Sequence, residues 1–179
     1  MIHKPYGMIS QFVNPHKRKK KLLGELFDFP EGTMAIGRLD VNSEGLLLLT
    51  TNGKLSEEIR SKKVEKEYYA EVDGCITQKE VNILNKGVVI GFNGKKYTTK
   101  PCKTSFIPVP NFKDRTQKIR DDRHGPTSWI SIILKEGKFR QVRKMTAAVG
   151  FPTLRLVRVR IGAVLLDNLK LGEVKKVSN

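Results

Sequence analysis

The chain has 179 residues, of which 34 are Lys or Arg and 18 are Asp or Glu, so its formal net charge is +16 at pH 7. A hydrophobic fraction of 39% is enough for a packed core and excludes disorder over most of the chain. The charge favours a polyanionic partner. Nucleic acid is preferred over membrane, because the basic residues do not lie opposite an apolar helical stripe.

The two cysteines, Cys75 and Cys102, form no CxxC pair and have no His at ligand spacing. This pattern gives no support to a structural zinc site and indicates a reducing compartment. The sequence has no apolar run of transmembrane length, and residues 1–5 do not begin a signal peptide. We therefore predict a cytoplasmic protein without a metal site and without a membrane partner.

Short apolar runs alternate with turn residues in the first half of the chain. The basic run at 16–21 has no apolar alternation, which predicts a solvated loop or a helix start. Apolar residues at helical spacing favour helices, and apolar runs closed by Asn-Gly or Asp-Gly favour strands. The predicted elements are helices at 22–27 and 55–60 and strands at 34–36, 46–50 and 67–72.

The clearest helix is predicted over 77–86. Thr77 can cap its first turn, Glu80 stands at capping-box spacing, and Gly87 ends it. Strand-like pieces follow at 88–90, 97–100 and 103–107, and then a polar, Pro-bounded loop at 108–126 that is long enough to be a binding element.

The last third of the chain predicts a strand at 129–134, a helix at 139–149 and a strand at 154–161. Arg155, Arg158 and Arg160 interleave with apolar residues in the final strand, so we expect them to face its wetter side. Many strands with few short helices predict an α+β fold on a mostly antiparallel sheet. The length fits one domain over residues 1–179, or two tightly joined lobes that share a cleft.

Three ordered segments carry the functional signal. The first is Gly-Arg-Leu-Asp at 37–40, followed by Ser-Glu-Gly and an apolar run at 43–53. The second is Lys-Glu-Tyr-Tyr-Ala-Glu-Val-Asp-Gly at 66–74. The third is Glu-Gly-Lys-Phe-Arg-Gln-Val-Arg-Lys-Met at 136–145, followed by 150–156. Without these segments, Asp40 would be interpreted as a turn or helix-cap residue. Tyr68 would be interpreted as a core residue, and Arg143 as a solvated charge on a helix.

Together these segments resemble the RsuA-like family of ribosomal RNA pseudouridine synthases. With Pro-Thr-Ser-Trp at 126–129, the third segment is most similar to the RluE branch, which acts on large-subunit rRNA. The resemblance covers nearly the whole chain. It implies the pseudouridine synthase fold, a central antiparallel sheet flanked by helices, with two lobes around a basic catalytic cleft and no cofactor.

The resemblance also implies the site residues. Asp40 would be the catalytic nucleophile and Arg143 its partner, while Tyr68 would pack on the target base and assist proton removal. Arg38 would enter the RNA stack where the uridine has left. We expect Tyr69, on the opposite face of the strand, to pack into the sheet instead.

These roles are chemically reasonable. Pseudouridine formation breaks an N–C glycosidic bond and remakes it to carbon without net redox change. A carboxylate can begin the reaction by attacking the sugar or the base, or by removing a sugar proton, and the residues leave these routes open. A neighbouring guanidinium would orient the carboxylate, and an aromatic face would hold the flipped base.

Four further basic residues are predicted phosphate contacts, which supply position and salt dependence. They are Lys4, Lys66, Arg140 and Lys144. Related enzymes often carry a small RNA-binding domain ahead of the catalytic one, and only two residues precede His3 here, so no separate N-terminal domain is expected. Lys138 and Phe139 stand where the family has a more basic pair.

The sequence therefore predicts a cofactor-free, monomeric enzyme that isomerises one uridine of ribosomal RNA, with large-subunit rRNA favoured. The alternative is a non-catalytic RNA-binding factor for ribosome assembly on the same scaffold. Charge fits both readings equally, whereas a nucleophile with an arginine partner favours the enzyme.

Overall fold

The computed structural model describes residues 1–13, 20–61, 64–113, 119 and 124–177. The chain divides into unit 1, residues 1–64 and 157–179, and unit 2, residues 65–156. The strands are β1 Ile2–Lys4, β2 Met34–Ala35, β3 Glu44–Leu47, β4 Leu49–Thr50, β5 Lys66–Asp73, β6 Val89–Phe92, β7 Lys95–Thr98, β8 Lys103–Phe106, β9 Thr127–Leu134, β10 Thr153–Ile161 and β11 Val164–Leu165. The α-helices are α1 Gly53–Ser61, α2 Gln78–Lys86 and α3 Gln141–Ala148.

In unit 1, β3 lies between an antiparallel β1 and the parallel end of β10. Ile2 is opposite Leu47, and Glu44 is opposite Val157. β11 continues the layer antiparallel to β10, and β2 pairs with β4 separately. Burial of the apolar face of this layer holds the unit together. Its core cluster consists of Ile2, Met8, Leu23 and Leu47.

Gly45 is required where β3 passes β10. Its φ of 107° lies in the left-handed region, and a Cβ there would collide with the backbone of Arg158. A residue with a side chain would therefore force the two strands apart. The same glycine brings the buried Glu44 and Arg158 into neighbouring positions of the layer.

Unit 2 is built on long antiparallel pairings. β5 pairs with β9 along its whole length, from Lys66 opposite Leu134 to Asp73 opposite Thr127, and β8 continues the sheet beside β9. β6 and β7 form a hairpin whose turn has Asn93 at φ 50° and Gly94 at φ 73°, the backbone that two-residue hairpins need. The core cluster combines buried residues of β5, β9, α2 and α3.

The predicted capping box of α2 is confirmed. The backbone N–H of Lys79 donates to Thr77 Oγ1 at 3.3 Å, and that of Thr77 donates to Glu80 Oε2 at 3.1 Å. Gly87 ends the helix at φ 96°. Val81 and Leu84 are buried on its inner face, as the spacing predicted.

Two predicted elements are shorter or broken. The helix predicted at 22–27 is a single 3₁₀ turn, Leu23–Glu25, because Leu22 is extended. The strand predicted at 46–50 is split at Leu48 into β3 and β4. At the break, the Leu48 carbonyl accepts a hydrogen bond from the N–H of Ile36 at 2.8 Å. The apolar content of 46–50 does not predict this bond.

The prediction that the arginines of β10 face a wetter side is wrong for Arg155 and Arg158, which are 7% and 3% exposed. Each donates to a backbone carbonyl. Arg155 Nη2 donates to the Lys113 carbonyl at 2.9 Å, and Arg158 Nε donates to the Leu46 carbonyl at 2.8 Å. Long side chains with internal acceptors can enter a core that alternation assigns to apolar residues.

The α+β class is confirmed. β3 pairs with β10 in parallel, whereas the pairs β1–β3, β10–β11, β5–β9 and β8–β9 are antiparallel, so the strand layer is mixed. Positions 16–19 of the basic run, and 114–118 and 120–123 of the predicted loop, lie outside the described residues. Within the described part of the chain, no helix has the length and apolar character needed to cross a bilayer.

Candidate active site

Asp40 lies on a loop of unit 1 that is anchored on both sides. The buried Ser10 hydroxyl donates to the Leu39 carbonyl at 2.9 Å and accepts the Leu39 N–H at 3.0 Å. On the other side, the N–H of Gly7 donates to the Val41 carbonyl at 2.8 Å. These bonds fix the backbone immediately before and after the half-buried Asp40, so its carboxylate is held by a rigid loop.

Lys4 lies in the interior of unit 1, within electrostatic range of Asp40. Its side chain is 0% exposed, and its Nζ donates to the carbonyls of Pro5 at 2.8 Å and Met8 at 2.7 Å. Burial lowers the pKa of Lys4 to about 7; the carboxylates of Glu44 and Asp40 oppose this decrease, and Arg158 adds to it.

The placement of Lys4 corrects the prediction that it contacts RNA phosphate. Its ammonium is enclosed and directed to two carbonyls of its own loop, so it is not available at the surface. β1 is buried at all three positions, and strand alternation therefore could not distinguish an inward from an outward lysine. Its position instead supports the segment that carries Ser10, on which the Asp40 loop rests.

Arg38 is exposed two residues before Asp40. Gly37, with φ 73°, precedes it and allows the chain to turn after β2. The guanidinium is therefore at the surface beside the Asp40 loop, a position compatible with a contact to RNA.

In unit 2, Tyr68 and Tyr69 lie on opposite faces of β5. Tyr68, opposite Ile132, is half-buried and packs against the core cluster. Tyr69 contacts Phe112 at a centroid distance of 6.2 Å, and burial, together with the Glu67 carboxylate, raises its pKa. Tyr69 thus packs on its own face of the sheet, as predicted, and Tyr68 packs against the core cluster on the other face, which was not predicted.

Arg143 lies on α3, with Val142 and Met145 of the same helix buried in the core. The half-buried side chain donates from Nη1 to the Thr153 carbonyl at 3.0 Å, which ties it to the start of β10. Thr146, one turn on, reaches the Thr153 hydroxyl at 2.7 Å. The pairing of Arg143 with Asp40, which belongs to unit 1, stays a prediction.

The N-terminus of α3 is held by Glu136, which the sequence reasoning did not single out. Glu136 Oε1 accepts from Gln141 Nε2 at 2.6 Å and from the N–H of Lys100 at 2.9 Å, and Oε2 accepts from the Tyr97 hydroxyl at 2.7 Å. Burial acts to raise the pKa of Glu136, but these hydrogen bonds and the charge of Lys138 outweigh it, so the pKa lies below its ordinary value.

The sequence signal for this anchor is the acid and the amide that stand five positions apart in the third segment. Gln141 is 4% exposed and also accepts the N–H of Lys138 at 2.9 Å. Arg140, between them, has φ 53°, a left-handed conformation that is costly for a residue with a side chain. The Glu136–Gln141 bond therefore sets the direction in which α3 begins.

The remaining predicted RNA contacts are in unit 2 and partly exposed. Lys66 opens β5, Arg140 precedes α3, and Lys144 lies on the first turn of α3 with Nζ donating to the Gly91 carbonyl at 2.7 Å. Their phosphate contacts stay predictions. Among the described residues, no group of three or more His, Cys, Asp or Glu side chains is arranged to hold a metal ion.

Comparison with known proteins places the chain among RNA-modifying enzymes. A family model described as RNA pseudouridylate synthase matches residues 1–148. The ribosomal large subunit pseudouridine synthase E of Vibrio vulnificus is 38% identical over 99% of this chain and 74% of that protein. The protein of the same name from Xanthomonas axonopodis pv. citri is 39% identical over 94% of this chain and 88% of that protein.

Solved structures agree with these sequence matches. A crystal structure of a pseudouridylate synthase superposes with a TM-score of 0.79 at 27% identity, covering 99% of this chain and 68% of that one. More distant structures, such as a Cbf5-Nop10-Gar1 complex with a TM-score of 0.56 at 15% identity, share the fold alone.

Proposed function

The chain belongs to the RNA pseudouridylate synthase family, and we propose that it converts a specific uridine of ribosomal RNA to pseudouridine, with Asp40 as the nucleophile. The N1–C1′ bond breaks, the base turns, and a C5–C1′ bond forms. The proton that leaves C5 is matched by one gained at N1. Product and substrate are isomers, so the reaction needs neither a cofactor nor a redox partner.

The anchored Asp40 loop is the observation that carries this proposal. Ser10 holds the peptide of Leu39 from both its N–H and its carbonyl, and the Gly7–Val41 bond holds the following residue. A carboxylate on a rigid support loses little entropy when it meets the sugar or the base. The three routes open to it, attack at the sugar, attack at the base and removal of a sugar proton, all require that placement.

Tyr68 and Arg143 complete the proposed catalytic set. The ring of Tyr68 is backed by the core of unit 2, which fixes its orientation for stacking on a base that has left the RNA helix. Its hydroxyl assists removal of the C5 proton. Arg143 is anchored to Thr153 at the start of β10, and its guanidinium is the proposed partner that orients the Asp40 carboxylate.

Binding of RNA is proposed to rest on exposed cations around these residues. Arg38 fills the gap left in the RNA stack by the flipped uridine, while Lys66, Arg140 and Lys144 neutralise phosphates. We place the target in large-subunit rRNA, supported by the names of the relatives from Vibrio vulnificus and Xanthomonas. The enzyme is proposed to act as a monomer in the cytoplasm.

Tritium release tests the proposal. Ribosomal RNA carrying tritium at uridine C5 should lose label to solvent with the wild-type protein and not with Asp40→Ala. The matched control is Asp28→Ala, which removes an exposed carboxylate of the same unit and should release label at the wild-type rate. Absence of release by the wild type, on both transcripts and isolated ribosomal subunits, would leave a non-catalytic RNA-binding protein instead.

A further inference from the structure

An exposed aromatic side chain interrupts the basic surface next to the start of α3. Phe139 is 65% exposed, although it stands one residue before the left-handed Arg140 and two before the buried Gln141. A single exposed apolar residue is ordinary on a protein surface and does not by itself indicate a ligand. What distinguishes Phe139 is the set of cations that the fold holds around it.

Two lysines near Phe139, one in contact with its ring and one adjacent in the chain, are held by the β6–β7 hairpin. Lys144 Nζ lies 5.4 Å from the centroid of the Phe139 ring while donating to the Gly91 carbonyl of β6 at 2.7 Å. Lys138, which precedes Phe139 in the chain, has its Nζ 5.0 Å from the Phe92 ring and 4.9 Å from the Tyr97 ring of the β6–β7 hairpin. Both ammonium groups are therefore restrained before any ligand arrives.

The same hairpin extends the positive surface. Lys95 and Lys96 are exposed next to its turn, and Lys100 is exposed just beyond it. The acid closest in this network, Glu136, is already engaged by Tyr97, Gln141 and the N–H of Lys100. The surface thus combines an uncovered aromatic face with a concentration of cations, the pairing that single-stranded nucleic acid requires for its bases and its phosphates.

We propose that Phe139, with Lys144 and Lys138, forms a stacking site for one unpaired nucleobase of the RNA. The base lies on the open face of Phe139, and the lysines contact the phosphates on either side of it. A duplex does not fit this site, because its bases are stacked on one another and their faces are not available. The inference rests on the proposed function in one respect, that the ligand is RNA, and it adds a second base contact besides the flipped uridine.

The test compares two RNA probes that differ in pairing, a 12-nucleotide single strand of mixed sequence and the same strand annealed to its full complement as a blunt duplex, each with a fluorescein label. Phe139→Ala should weaken binding of the single strand by about tenfold, the loss expected for one stacked base, and change duplex binding little. Its salt dependence should equal that of the wild type. Lys144→Gln should instead weaken both probes and reduce the salt slope by roughly one phosphate contact.

Phe106→Ala is the matched control, since Phe106 is also exposed (46%) on unit 2 but is not among the described cation–ring contacts. A direct readout comes from Phe139→Trp, which adds an exposed indole to the single, 8% exposed Trp129. The emission of that variant should be quenched by the single strand more than wild-type emission is. Equal affinities of Phe139→Ala and wild type, or an equal loss on both probes, would overturn the inference.

The two proposals fail separately in this design. Binding is measured without turnover. If the wild-type protein releases no tritium but Phe139→Ala still weakens single-strand binding, the stacking site is supported and the enzymatic assignment is not. A protein that releases tritium and binds both probes normally after Phe139→Ala remains a pseudouridine synthase without this site.

Discussion

The Ser10 hydroxyl bonds to both the carbonyl and the N–H of Leu39, the residue that precedes Asp40. Because it stands 29 positions from Leu39 in the chain, no local pattern pointed to it. Asp40, in contrast, was predicted from its surrounding segment. At the scale of the residue, motifs therefore identified the proposed reactive group but not the side chain that fixes it.

Replacing Ser10 with Ala should reduce catalysis more than RNA binding. The variant leaves two backbone groups of Leu39 without their partner, which should lower the free energy of unfolding by about 1–3 kcal/mol. The initial rate of tritium release should fall more than RNA affinity does, because the lost bonds orient Asp40 rather than bind phosphate. Urea denaturation measures the free energy of unfolding, and tritium-release and RNA-binding assays measure the rate and the affinity. The control is Ser61→Ala, which changes an exposed serine. A normal rate of tritium release in a destabilised Ser10→Ala protein would show that the Asp40 loop does not depend on Ser10.

Lys4 should make the stability of the protein depend on pH in a specific direction. Its pKa is about 7 in the folded chain, against 10.5 for an ordinary lysine, so the unfolded chain binds more protons between these values. The cost of the buried ammonium is therefore complete below pH 7 and disappears as pH rises towards 10.5. This component of the free energy of unfolding should rise with pH by an amount on the order of a few kcal/mol.

Urea denaturation from pH 6 to pH 10 measures this rise. Lys4→Met should flatten the profile by removing the component, while Lys79→Met, which changes an exposed lysine, should keep the wild-type slope. Parallel profiles for wild type and Lys4→Met would mean that the ammonium of Lys4 is not desolvated in the folded protein.

At the scale of the element, prediction succeeded where local chemistry decides. The capping box of α2 involves residues three apart, and it was correctly predicted. Prediction failed where distant acceptors decide, as for the carbonyls of Leu46 and Lys113 that draw two arginines of β10 inward. The anchor of α3 is of the second kind, since Tyr97 and Lys100 reach Glu136 from the β7 region.

Glu136→Gln tests that anchor. Removing the charged acceptor should cost about 1–2 kcal/mol at pH 7 and lower the turnover rate through the start of α3, which carries Arg143. Because the folded pKa of Glu136 is lowered from 4.5, its stabilisation is present above about pH 4.5 and lost as pH falls through the lowered value.

The acid side of the stability profile is the readout that a general packing defect would not change. Wild type should lose stability below pH 4.5 more steeply than Glu136→Gln. The control is Glu57→Gln, which changes an exposed glutamate of α1. The stability of this variant should fall with pH as that of the wild type does. An unaltered acid profile in Glu136→Gln would argue that the carboxylate contributes no net stability to α3.

At the scale of the whole molecule, the net charge of +16 predicted a polyanionic partner, and family membership agrees with RNA. Charge alone could not separate an enzyme from a binding protein, since both need the same cations. The three ordered segments made that distinction, because they carry a carboxylate, an aromatic ring and a guanidinium in the family's order.

The negative charge of Asp40, and not only the fold around it, is what the proposed conversion of uridine to pseudouridine requires. Asp40→Asn keeps the shape of the side chain and removes its negative charge. The direct measurement is the pseudouridine content of large-subunit rRNA after incubation with each protein, read by digestion to nucleosides and mass spectrometry of chemically labelled pseudouridine. We predict that the wild type forms pseudouridine and that Asp40→Asn binds the RNA with similar affinity and forms none; formation at the wild-type rate by Asp40→Asn would contradict the account.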